Sequence, residues 1–197
     1  MQTTRATGFD TERYLQVQVD EIVQRVGQLG DKLYLEFGGK LLFDYHAARV
    51  LPGYHPNAKI SVLQRLSDKL DILFCAKAIE GAGGWIRGDW GITYDLATLR
   101  MLDDLRERDL PVTAVVITRF SGQEAALQLK QRLELRGVTV YLHGNVAGYP
   151  EDVDTICSDA GFGSNSFIET TKPIVAITGA GPGSGKIETA LQQMWHT

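Results

Sequence analysis

Residues 177–186 read ITGAGPGSGK, and no other stretch of the chain points so directly to chemistry. Closely spaced glycines let a backbone fold tightly and turn its N–H groups inward. A helix start adds positive potential and a lysine adds a point charge, a combination suited to phosphate. The flanks fit as well: PIVAIT before the glycines reads as a strand, and IETALQQMW after them reads as a helix. The phosphate-loop pattern is G-x-x-x-x-G-K-[ST]. Gly185 and Lys186 match it, but Ala180 stands at the first glycine and Ile187 at the magnesium-binding hydroxyl. Gly179 and Gly181 flank the missing glycine, and Ser184 and Thr189 are nearby hydroxyls. The candidate ligand-binding residues are Gly181, Gly183, Ser184, Gly185 and Lys186. The competing reading is a plain glycine-rich turn without a ligand. The two readings part at Lys186. A lysine that serves phosphate stays solvated in an open site, whereas a structural one pairs its ammonium with a protein carboxylate.

A second group is Gly38, Gly39 and Lys40, which follow the strand-like KLYLEF at 32–37. Either they form another anion-binding turn facing the same crevice, or they are an ordinary turn. Asp44, Tyr45 and His46 lie just downstream. His55 and His143 have no Cys or carboxylate at metal-ligand spacing, so no metal site is expected. Cys75 and Cys157 each sit in an apolar run and read as buried free thiols. Asp95 reads as a helix cap, and no Ser-His-Asp order or nucleophile elbow is present.

These residues need a scaffold, and the hydrophobic pattern supplies one. Leu15, Val19, Ile22, Val26 and Leu29 form one helical stripe. Further stripes run through Ile60, Leu63, Leu66 and Leu70, through Leu99, Leu102 and Leu105, and through Ala126, Leu129 and Leu133. Ile187, Ala190, Leu191, Met194 and Trp195 make a last amphipathic helix. Between them, residues 32–37, 71–76, 113–118, 138–143, 154–158 and 173–178 read as strands. Alternating strands and helices imply a three-layer α/β domain over residues 1–197. Its mainly parallel sheet has about six strands, with helices on both faces and a phosphate-loop-like turn before the last helix. In such a sheet, loops at the carboxyl ends of the strands build the ligand crevice.

The chain has 197 residues, 44% hydrophobic and 22% charged, with a net charge of −4. That composition excludes a disordered chain, and the acidic balance argues against a nucleic-acid partner. No apolar run is long enough to cross a bilayer, and the polar start lacks a signal-peptide core, so a cytoplasmic location is expected.

Five longer stretches, at 33–53, 86–96, 115–123, 148–154 and 169–186, resemble a bacterial family known only as domain of unknown function 1846. The resemblance runs from about Phe9 to the last residue. It implies that the chain corresponds to the N-terminal part of a longer architecture, and it supplies no catalytic residues. The glycine loop, not the resemblance, sets the expected ligand, a phosphorylated small molecule, with ATP or another nucleotide plus Mg as the cofactor. Whether the chain is an ATP-dependent enzyme stays open. The alternatives are a non-catalytic sensor of a phosphorylated metabolite and an assembly module whose last helix docks a partner or forms a homo-oligomer.

Overall fold

The computed structural model describes residues 8–30, 32–38, 41–78, 86, 88 and 91–197. Five strands form one sheet: β1 (Leu33–Glu36), β2 (Leu70–Lys77), β3 (Ala114–Thr118), β4 (Val140–Leu142) and β5 (Ile174–Gly179). Their order is β1-β5-β2-β3-β4, and every pairing is parallel. The helices are α1 (Thr11–Leu29), α2 (Tyr45–Val50), α3 (Ala58–Arg65), α4 (Tyr94–Arg106), α5 (Glu124–Glu134), α6 (Val153–Ile156) and α7 (Lys186–His196). β3 and β5 are buried throughout and β2 over all but its last residue, as expected of parallel strands covered on both faces.

The alternation of side chains along each strand divides the core. Ile72, Phe74, Val115, Ile117, Ile174 and Ala176 face one side and pack under Leu15, Leu63, Leu102 and Leu129 of α1, α3, α4 and α5. Leu73, Cys75, Val116, Val175 and Ile177 face the other, under Ile168 and the α7 residue Ala190. Asp10 starts α1 by accepting from Arg13 N, 3.0 Å away, as an N-cap residue should.

Four expectations need correction. Leu70, read as the end of a helical stripe, instead opens β2, because α3 stops at Arg65. The described residues hold five strands, not six, because 154–158 is not a strand. Asp152 accepts hydrogen bonds from the Thr155 backbone N–H at 3.1 Å and its hydroxyl at 2.6 Å, and this cap turns the segment into α6. Cys157 follows that helix and is exposed, whereas Cys75 in β2 is buried. Thr93, not Asp95, holds the N-cap position of α4; Asp95 lies in its first turn, accepts from the Thr93 hydroxyl and pairs with Arg132 at 2.6 Å.

The last strand in sequence, β5, is inserted between β1 and β2. The exits of β1, β5 and β2 therefore sit side by side at one edge of the sheet, and the glycine loop leaves from the middle of the three.

Candidate functional site at the carboxyl edge of the sheet

Residues 180–185 connect β5 to α7. Cys75 in β2 accepts a hydrogen bond from Ala180 N at 3.0 Å, and the Thr118 hydroxyl at the end of β3 donates to Ser184 O at 3.0 Å. Two neighbouring strands thus hold the loop. Gly185 adopts φ +81°, and a Cβ there would lie 2.7 Å from Thr118 Cγ2, so glycine is required for both conformation and space. Beside Gly181 there is open space, with no atom within 4 Å of a Cβ built on it. The N–H groups of Gly181, Gly183 and Gly185 find no hydrogen-bond acceptor of normal geometry among the described residues. Ser184 is fully buried, and its Oγ, turned into the foot of the loop against Gly179, also has no partner.

Lys186 opens α7 and turns back over the loop. Its Nζ lies 3.5 Å from Gly181 O and 3.8 Å from Glu36 Oε1 at the end of β1. The Lys186 side chain is only 12% exposed. It therefore departs from the open, solvated lysine expected of a waiting phosphate site and has a carboxylate beside it. At 3.8 Å that carboxylate is an ion-pair neighbour rather than a hydrogen-bond acceptor. Glu36 arrives there because β1 pairs with β5 in the register Glu36↔Ile177, and Phe37 N donates to Ile177 O at 2.8 Å.

Gly38 leaves β1 at the same edge, and its carbonyl accepts from Lys59 Nζ at 3.3 Å. Gly39 and Lys40 lie outside the described residues. Lys59 also pairs with Asp44 at 3.0 Å, while Asp44 caps α2 through Ala47 N at 3.2 Å. Burial pushes the Asp44 carboxyl upward, but Lys59 and the Ala47 N–H outweigh it and hold it below the ordinary value. Asp44 is thus accounted for by structure. Tyr45 and His46 are exposed, and the Tyr45 ring stacks on Phe43.

The expected apolar stripe of α7 is inverted. Glu188, Thr189, Gln192 and Gln193 are buried, while Ile187, Leu191 and Met194 are 54%, 41% and 58% exposed. Hydrogen bonds hold part of this polar face, although Gln192 Nε2 is buried without a partner. Gln193 donates to Ile168 O and accepts from Ile168 N, both at 2.9 Å. Thr189 Oγ1 lies 3.5 Å from Cys75 Sγ, whose thiol burial pushes up to about 12, so that Cys75 is an inert core group. Of the stripe, Ala190 packs inward against the sheet and Trp195 against Val146, Ile156 and Phe162.

Glu36 and Glu188 carried no assigned role in the sequence reading. Burial raises the Glu188 carboxyl, with exposed Arg119 pulling it back. A carboxylate two residues before the Gly38 turn was a visible signal for Glu36, but its approach to Lys186 depends on β1 pairing with β5.

His143, at the end of β4, is 2% exposed. Ser166 and Gln192 lie beside its ring, yet neither nitrogen has a hydrogen bond of normal geometry. No three metal-ligating side chains gather among the described residues. Burial pushes the ring from 6.5 down to about 4. The unfolded chain therefore binds a proton in that window that the folded chain refuses. Stability is full above the unfolded value and falls as pH drops toward 4, and Glu188, with its raised carboxyl, opposes part of the loss. Urea titrations of wild type at pH 7 and pH 5 are expected to differ by up to about 2 kcal/mol. His143→Gln should flatten that difference.

Among the described residues no helix is long and apolar enough to cross a membrane. A family model described as "Domain of unknown function DUF1846, N-terminal" matches residues 7–197. A UPF0371 protein of Clostridium botulinum (strain ATCC 19397 / Type A) is 57% identical over 189 residues, covering 96% of this chain and 38% of that protein. UPF0371 proteins of Clostridium tetani and Fusobacterium nucleatum are 55% and 54% identical over the same share of this chain, and 38% and 37% of their own lengths. The chain thus spans less than two fifths of the length of these curated relatives.

Proposed function

Given that the chain belongs to the DUF1846 family, we propose that its part in the longer protein is to bind a phosphorylated small molecule, a nucleotide with Mg being the preferred form, at the loop between β5 and α7. The observation that carries this reading is the set of unpartnered N–H groups at Gly181, Gly183 and Gly185, standing at the start of α7 with the Lys186 amine above them. Unpaired N–H groups, a helix N-terminus and a lysine together favour a compact anion. The position suits it too, since β5 opens onto the carboxyl edge of a parallel sheet between two neighbouring strands. If the longer protein transfers a phosphoryl group, the loop and Lys186 provide positioning and charge stabilisation for it.

Calorimetric titration with ATP, GTP and inorganic phosphate tests the reading. Lys186→Ala is expected to weaken binding by about 1–3 kcal/mol, the scale of a lost charge-assisted hydrogen bond. A lysine that merely neutralises Glu36 predicts instead a changed melting temperature and no change in binding.

One observation favours a second reading, an assembly module. The exposed Ile187, Leu191 and Met194 form an apolar row along α7, a surface on which another copy or another part of a longer protein can rest.

A further inference from the structure

We propose that the loop takes its phosphate as a complex with a divalent cation, and that Glu36 is the protein carboxylate that holds the cation. The inference rests on the phosphate-binding reading above. Its starting point is the contact between Glu36 Oε1 and Lys186 Nζ at 3.8 Å. A phosphate oxygen seated on the Lys186 ammonium comes close to the Glu36 carboxylate, and two like charges at that range repel. A divalent cation between them turns the repulsion into a bridge. Magnesium is bound in this manner, through one or two carboxylates completed by substrate phosphate oxygens and water, without an all-protein cage. The lack of a three-residue metal cluster among the described residues is compatible with such a site.

The neighbouring groups narrow the choice of ligand. Ile187 stands where the phosphate-loop pattern places its magnesium hydroxyl; it carries no oxygen donor in its side chain and is 54% exposed. Asp44 is engaged by Lys59 and by the start of α2. Glu188 is buried on the inner face of α7, with a carboxyl raised by burial. Glu36 is different. Its side chain is 30% exposed, it ends the strand adjacent to β5, and no other basic side chain among the described residues pairs with it. The substrate class that follows is a di- or triphosphate carrying its metal, since a chelating phosphate chain brings a bound cation with it, whereas free inorganic phosphate brings none.

Calorimetry of wild type, Glu36→Gln and Glu36→Asp with ATP, in MgCl2 or in EDTA, tests the proposal, with circular dichroism to confirm folding. Wild type is expected to bind ATP about tenfold or more tightly with Mg than without. Glu36→Gln should lose that preference and bind ATP in EDTA more tightly than wild type, because the repelling charge is gone. Glu36→Asp, which keeps the charge, should keep part of the preference. Mn2+ added in place of Mg should give a protein-bound paramagnetic signal only when ATP is present. Wild type that binds ATP equally with and without Mg, with Glu36→Gln equal or tighter in both, overturns the proposal and leaves Glu36 as a counter-ion of Lys186. Wild type that binds ATP in neither condition overturns the phosphate reading as well.

Discussion

Gly185→Ala is expected to lower stability by roughly 2–5 kcal/mol and to abolish phosphate binding, whereas Gly183→Ala is expected to cost only about 1–2 kcal/mol. Both glycines have positive φ, +81° at Gly185 and +67° at Gly183, so both substitutions carry the left-handed penalty of an L residue. Only Gly185 adds a collision. Its Cβ would meet Thr118 Cγ2, Cβ and Oγ1 at 2.7, 2.9 and 2.9 Å, whereas a Cβ at Gly183 has nothing within 4 Å. Thr118 cannot yield easily, because it is buried at the end of β3 and its hydroxyl donates to Ser184 O. Relief therefore moves the loop off β3 and takes the Gly181–Lys186 geometry with it. Urea unfolding of the two variants gives the energies, and calorimetry with ATP gives the binding. Equal costs for the two substitutions would show that Thr118 does not clamp the loop.

Gln193→Ala is expected to destabilise the protein by roughly 2–5 kcal/mol, because it strands two buried peptide groups at once. Gln193 and Ile168 are both 0% exposed, and the amide both donates to Ile168 O and accepts from Ile168 N. Gln193→Glu should be nearly as damaging: the carboxylate still accepts from the N–H, but it offers no donor to the carbonyl and buries a charge. Trp195, two residues on and packed on Phe162, reports the change, so tryptophan fluorescence can follow the urea transition. A cost below about 0.5 kcal/mol, typical of surface substitutions, would show that α7 is not held by this contact.

Much of this architecture is legible in the sequence, and the failures have physical causes. The runs DILFCA, TAVVIT and PIVAIT are largely apolar because β2, β3 and β5 are covered on both faces, and each was identifiable as a strand. The glycine loop and its place between a strand and a helix were equally plain. Strand order was not. Nothing local to β5 says that it enters between β1 and β2, so the meeting of Glu36 with Lys186 was beyond reach. The orientation of α7 misled for a different reason. An apolar stripe normally faces the core, but here the hydrogen bonds of Gln193 and the contact of Thr189 with Cys75 let the polar face go inward. At 154–158 the Asp152 cap prevailed over a weakly apolar run.

The central claim, that the loop between β5 and α7 binds phosphate through its free N–H groups, is tested most directly by following backbone amide resonances of the labelled protein during titration with inorganic phosphate and with ATP plus Mg. The expected result is a saturable shift of the Gly181, Gly183, Gly185 and Lys186 amides, lost in Lys186→Ala, with the amides of α1 and α5 unmoved. Loop amides that stay in place at millimolar ligand, or shifts confined to other parts of the sheet, would contradict it.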